Sequence, residues 1–140
     1  MGRRIMEIPR IFLLIAFIVL LFAGFASAQG PRPKTVVITK EDNGKQIVVP
    51  EGEIFEIHLE HAGGTGYGWE IVEPDETHLK VLHSTEVPLR DERILGGPLL
   101  KTWKIKAVKV GQADLKILLY RPWEGPEKAA DNLHVKIQIK

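Results

Sequence analysis

Apolar and polar residues alternate with a period of two along most of the chain after residue 34. A strand places successive side chains on opposite faces, so this period predicts half-buried strands. The clearest run is 53–60, where Phe55, Ile57 and Leu59 share one face and Glu56, His58 and Glu60 the other. Residues 113–120 turn Ala113, Leu115, Ile117 and Leu119 inward. Residues 133–139 turn Leu133, Val135, Ile137 and Ile139 inward against His134, Lys136, Gln138 and Lys140. In 100–108, Trp103, Ile105 and Ala107 oppose Lys104 and Lys106, with Leu100 out of phase. Shorter candidates lie at 35–39, 45–49, 69–72 and 80–85. Gly, Pro, Asn and Asp separate the runs, and Asp42-Asn43-Gly44 marks a tight turn because Asn and Gly tolerate positive φ.

Seven or eight such strands without an amphipathic helix predict an all-β fold. The spacing of strands and turns fits an immunoglobulin-like sandwich of two antiparallel sheets packed face to face. A closed barrel is the competing arrangement of the same strands. A sandwich of this kind gathers alternate loops at one end, where the sheets hold them rigid.

The first 28 residues break the pattern. Arg3, Arg4 and Arg10 stand against Glu7 alone, residues 11–25 are apolar and uncharged, and Ala26-Ser27-Ala28 follows. Basic, apolar, small-x-small is the secretory signal pattern, with cleavage after Ala28. The rival reading is a membrane anchor, but the apolar run is about 15 residues, short of the roughly 20 a spanning helix needs. A cysteine for lipid attachment is missing at the cleavage site. The product is therefore expected to be exported, to the periplasm or beyond, with no stable membrane anchor after cleavage. Residues 29–34, with two prolines, read as a flexible tether, leaving 35–140 as one domain.

Charge and composition then exclude several functions. Removing the signal leaves 16 Lys and Arg against 17 Asp and Glu. A near-neutral domain offers no electrostatic case for nucleic acid. The chain has no cysteine, so thiol catalysis and cysteine zinc sites are unavailable and the sheet core must supply the stability. Ser84 and His83 are neighbours on a strand and point to opposite faces, which prevents a nucleophile–base pair. The carboxylate pairs Asp75-Glu76 and Asp91-Glu92 are loop neighbours that read as solvated charges. His58 and His61 have a His-x-x-His spacing, but on a strand it does not converge two imidazoles on one ion. The reading is a non-enzyme with no catalytic residue, no metal and no small-molecule cofactor.

Three loops remain. The first is Ala62-Gly63-Gly64-Thr65-Gly66, followed by Tyr67-Gly68-Trp69. Its glycines suit a flexible hairpin connection, or a backbone that approaches a partner closely. A phosphate cradle would need a Lys-Ser/Thr and a helix start, which do not follow. The second contains Leu95-Gly96-Gly97-Pro98-Leu99. The third is Arg121-Pro122-Trp123-Glu124-Gly125-Pro126, directly after Tyr120. Trp123 either folds back as a lid on the sandwich or stands exposed as an anchor, since Trp, Tyr and Arg dominate interface hot spots.

Together the three loops resemble the chagasin family of cysteine-peptidase inhibitors. That family is marked by an Asn-Pro-Thr-Thr-Gly loop leading to an aromatic and a Trp, a later Gly-rich loop, and an Arg-Pro-Trp or Arg-Pro-Phe loop. The order matches, and the resemblance runs from about Val36 to Lys140. Arg121, Pro122 and Trp123 match the third motif. Thr65, Gly66, Tyr67 and Trp69 match the second Thr, the Gly, the aromatic and the Trp of the first. Ala62, Gly63 and Gly64 replace its Asn, Pro and first Thr. Gly96 matches in the second loop, whereas Pro98 and Leu99 stand where glycines belong. The resemblance implies a three-loop wedge against a papain-like cysteine peptidase. Gly63, Gly64, Thr65 and Gly66 would enter the cleft, Gly96, Gly97, Arg121, Pro122 and Trp123 would grip its sides, and Tyr67 and Trp69 would support the first loop. It also implies that a Thr at Gly64 would strengthen inhibition, unless Gly64 has positive φ. The altered first loop leaves an alternative: a non-inhibitory envelope or secreted protein-binding module on the same fold.

Overall fold

The computed structural model describes residues 2, 30, 34–90, 93 and 95–140. The signal and tether readings fall almost wholly outside them, as does Asp91-Glu92. Eight strands follow in order: β1 (Val37–Ile38), β2 (Gln46–Val49), β3 (Ile54–Ala62), β4 (Gly68–Val72), β5 (Leu79–Pro88), β6 (Pro98–Ala107), β7 (Gly111–Tyr120) and β8 (Asp131–Ile139). They form two four-stranded sheets, ordered β1-β3-β6-β5 and β2-β8-β7-β4. Phe55, Ile57, Ile105, Ile117, Leu133 and Ile137 are fully buried among the core residues of the two sheets. Burying one such side chain contributes about 1.5–3 kcal/mol. The alternation that predicts these strands therefore also writes the core.

The central pairings are antiparallel, but two edge pairings are not. β1 runs parallel to β3 (Val37↔Glu56), and β2 runs parallel to β8 (Gln46↔Lys136). The expectation of wholly antiparallel sheets is corrected here. The turn at Asp42-Asn43-Gly44 does not join two paired strands. It carries the chain from one sheet to the other, through a 3-10 turn at Lys40–Asp42. Asp42 accepts the Thr39 N–H at 2.9 Å, Asn43 Oδ1 accepts the His134 N–H at 2.8 Å, and Gly44 has φ 81°.

β5 departs from the pattern as well. Of its residues only Leu79 is buried, and Val81, Leu82 and Val87 are exposed. It is an edge strand, and its register against β6 shifts between Val81 and His83. Such a bulge re-aims side chains and blunts an edge. Ile71, Leu79, Val81, Ile105, Val108 and Leu115 line much of a cleft of about 490 Å³ on this side.

Three carboxyls have depressed pKa values: Asp42, Glu56 and Asp75, the last held down, against the cost of desolvation, by hydrogen bonds from His78 and Thr77. Asp42 is held below the usual carboxylate range by the Thr39 N–H and then by Lys45, whose Nζ lies 3.1 Å away. Glu56 is lowered by His58 Nε2 at 2.8 Å, against the cost of desolvation, with Lys104 adding to the effect. A carboxyl whose folded pKa is depressed contributes stability above its unfolded pKa and loses it as pH falls through the folded one. Thermal melts are expected to hold level down to about pH 5 and to fall below about pH 4. Asp42→Asn should show a shallower acid limb; an unchanged limb would remove Asp42 from the account.

Candidate functional site

Strand direction brings the three loops to one end. β3 leaves the first sheet where β4 begins in the second, and residues 63–67 connect them. Ala62 pairs with Pro98, so the end of β3 lies beside the return of the β5–β6 connection. Gly68 pairs with Tyr120, so the start of β4 lies beside the departure of the β7–β8 connection. The first loop is thus a sheet-to-sheet bridge flanked by one hairpin loop from each sheet.

The contacts are made largely through backbone. Gly63 N–H donates to Gly97 O at 2.9 Å. A Cβ at Gly63 would stand 2.7 Å from that same oxygen, and one at Gly64 would stand 3.5 Å from Gly96 Cα. The glycines of the first and second loops therefore let two backbones touch. Within the first loop, Thr65 Oγ1 donates to Ala62 O at 3.0 Å.

The third loop locks the other side. Arg121 Nε donates to Thr65 O at 3.0 Å. Its guanidinium lies 4.4 Å from the Tyr67 ring centroid and 5.9 Å from that of Trp123. Glu124 adds a carboxylate oxygen 3.6 Å from Nη1. The indole of Trp123 covers Gly66, where a Cβ would run into Cη2. The lid reading of Trp123 is not what the structure shows: its ring is 72 % exposed. Pro122 sets the turn, and the Glu124 and Gly125 N–H groups both donate to Arg121 O.

The sequence reading gave Arg121 a contact with the peptidase. Within the molecule its Nε also holds the first loop as a clamp. Tyr67 supports the loop through Arg121 from a half-buried position, whereas Trp69 supports it from the core. Trp69 is 2 % exposed, and its Nε1–H donates to Glu60 O at 3.0 Å. One residue was missed. Leu95 is 97 % exposed immediately before Gly96 and offers a second apolar surface beside Trp123's end of the sandwich. A leucine in a Gly-rich turn was the available signal.

The other sequence candidates lie elsewhere. Ser84 pairs with Trp103 and His83 with Lys104, on opposite faces of β5. His61 continues the buried stripe of β3, whereas His58 is on its outer face with Glu56. Asp75 accepts from the Thr77 and His78 N–H groups in the β4–β5 connection, at the other end of the strands.

Gly64 has φ 71° and Gly66 has φ 80°. The expected gain from a Thr at Gly64 is reversed by this geometry. A β-branched residue in the left-handed region costs roughly 1–2 kcal/mol. Gly64→Thr is expected to weaken inhibition of papain about five- to thirtyfold, read as Ki on samples of verified folding. Stronger inhibition would mean the loop changes conformation on binding.

A small β-sandwich presenting three interlocked loops at one end belongs to the class of rigid protein-binding modules. The sequence profile described as "Chagasin family peptidase inhibitor I42" matches residues 48–137, well over half of the chain. The chain belongs to the chagasin family. It is similar to Chagasin of Trypanosoma cruzi, at 26% identity over 106 residues, covering 72% of this chain and 94% of the relative. It is also similar to Amoebiasin-2 of Entamoeba histolytica, at 22% over 104 residues, covering 74% and 85%. Among solved structures, the cysteine protease inhibitor EhICP2 from Entamoeba histolytica shares the fold at a TM-score of 0.69 and 22% identity, over 79% of this chain and all of that one. PbICP-C, solved in complex with falcipain-2, aligns at a TM-score of 0.51 and 25% identity, over 76% and 92%.

Proposed function

We propose that this protein inhibits papain-like cysteine peptidases by seating its first loop in the active-site cleft, while the second and third loops grip the flanks. The observation that carries this reading is the interlocking of three loops at one end of the sandwich: Gly63 on Gly97, and Thr65 and Gly66 under Arg121 and Trp123. The family membership and the PbICP-C complex with falcipain-2 support the choice of partner. Inhibition needs no chemistry from this chain, so it acts as a binder and not as an enzyme. A loop tied on both sides has little freedom left to lose on binding, which favours affinity. It also resists the distortion that cleavage of its own backbone would require. A footprint of about 800 Å² on each partner suffices for a tight complex. The N-terminal segment, read as a cleaved signal, would place this activity outside the cytoplasm, in the periplasm or beyond.

Titration of the purified protein against papain tests the reading. Reversible competitive inhibition is expected, with the inhibitor intact by mass spectrometry after prolonged incubation. Absence of inhibition at micromolar protein would favour the second reading, a non-inhibitory binding module, which the replacement of Asn-Pro-Thr by Ala62, Gly63 and Gly64 allows.

A further inference from the structure

His61 is out of character with its neighbours. Phe55, Ile57 and Leu59 precede it on the inward face of β3, and each is almost completely buried. A leucine would complete this stripe. Instead His61 is the one buried polar or charged residue among the described residues, with a side chain only 2 % exposed. Its Nε2 lies 3.1 Å from Glu86 Oε2 on β5, across the width of β6. Its Nδ1 lies 3.2 Å from Ala62 O. Both neighbours are oxygens, and each ring nitrogen faces one of them.

The Ala62 carbonyl is where the first loop is tied down. It also accepts the Thr65 hydroxyl, at 3.0 Å. Ala62 and Pro98 face each other between the hydrogen-bonded pairs of the β3–β6 ladder, so the Ala62 carbonyl points away from β6 and is open to the His61 and Thr65 side chains. Thr65 passes the connection on, because its own carbonyl takes Arg121 Nε–H at 3.0 Å. A continuous polar path therefore runs from Glu86 through His61, the Ala62 carbonyl and Thr65 to the third loop.

We propose that the His61–Glu86 pair is a positioning device for the first loop. It fixes the orientation of the Ala62 carbonyl from beneath, and thereby the placement of Thr65 and Gly66. Burying the histidine of such a pair is a poor way to gain stability, since a well-packed apolar residue often does as well or better. Its place at the base of this loop fits a role in conformation. The effect on inhibition rests on the function proposed above; the effect on loop order does not.

The test uses His61→Leu, Glu86→Gln, Thr65→Val and the double variant of His61→Leu with Thr65→Val. Inhibition of papain, thermal stability and amide hydrogen exchange are measured on the same samples. His61→Leu should melt at or above the wild-type temperature, yet inhibit roughly three- to tenfold more weakly. Glu86→Gln should shift inhibition in the same direction; with Glu86 partly exposed, it serves if His61→Leu folds poorly. The amides of Thr65, Gly66 and Tyr67 should exchange faster in both, with Ile137 in the core unchanged. The double variant should be no weaker than the weaker single one, because both act through the same carbonyl. Wild-type loop exchange and Ki in the folded single variants would overturn the proposal, as would fully additive losses in the double variant. If the wild type itself fails to inhibit papain, the proposed function falls, and the exchange of the loop amides still decides whether His61 and Glu86 position them.

Discussion

Trp123→Ala is expected to weaken the complex with papain by about 2 kcal/mol or more, roughly thirtyfold in affinity, with little change in melting temperature. The ring is 72 % exposed, so the core does not depend on it. What it touches is Gly66 and the guanidinium of Arg121, both at the loop end. An exposed indole held against two neighbours presents its outer face in a fixed orientation and loses little freedom when a partner covers it. Gly66 permits this, because any side chain there would displace the ring. Gly66→Ala should therefore weaken inhibition in the wild-type background and much less so beside Trp123→Ala, where only the strain of φ 80° remains. Inhibition and thermal melts on one preparation decide the matter. A large drop in melting temperature with unchanged inhibition by the folded fraction would remove Trp123 from the binding surface.

Trp69→Ala should have the larger effect on folding, about 3–5 kcal/mol. The indole is almost fully buried on β4, opposite Leu119 of the second sheet, and its N–H reaches Glu60 O on β3 of the first. It therefore ties the two sheets together directly beneath the first loop. Removing it leaves a cavity and an unpaired carbonyl, and frees the loop's base. Denaturant unfolding should show a lower midpoint with an unchanged slope, and the melting temperature should fall by on the order of 15 °C. Trp69→Phe should lose less, because most of the volume remains. A Trp69→Ala variant within about 1 kcal/mol of wild type would show that the core repacks around the gap.

The contrast between these two tryptophans was partly legible in the sequence. Trp69 opens a strand after a glycine-rich loop, and Trp123 lies beyond the last inward residue of β7, among prolines and charges. That reasoning separates a core aromatic from a loop aromatic, but it does not say what either touches. The roles of Arg121 and His61 were not legible in this way. Arg121 reads as a cation free to meet a partner, yet Thr65, distant in sequence, supplies the carbonyl that holds it. His61 reads as half of a His-x-x-His pair, yet its alternation phase places it among core residues, facing a carboxylate two strands away.

The period-two pattern determined β3, β6, β7 and β8, because burial of one face selects side chains in exactly that rhythm and the strand geometry converts it into a core. It also determined the order of three loops and the residues they carry. Strand partners and directions at the edges were decided only in three dimensions. A local turn such as Asp42-Asn43-Gly44 reverses the chain equally well within a sheet or between sheets, and packing of β1 and β2 against strands far along the chain makes the choice. The same holds for the glycines at 63, 64 and 66. Their presence is a fact of sequence. The positive φ of Gly64 and Gly66, and the contacts of all three with Gly96, Gly97 and Trp123, exist only because the first loop bridges the two sheets between two hairpin loops, and that juxtaposition is a property of the assembled sandwich.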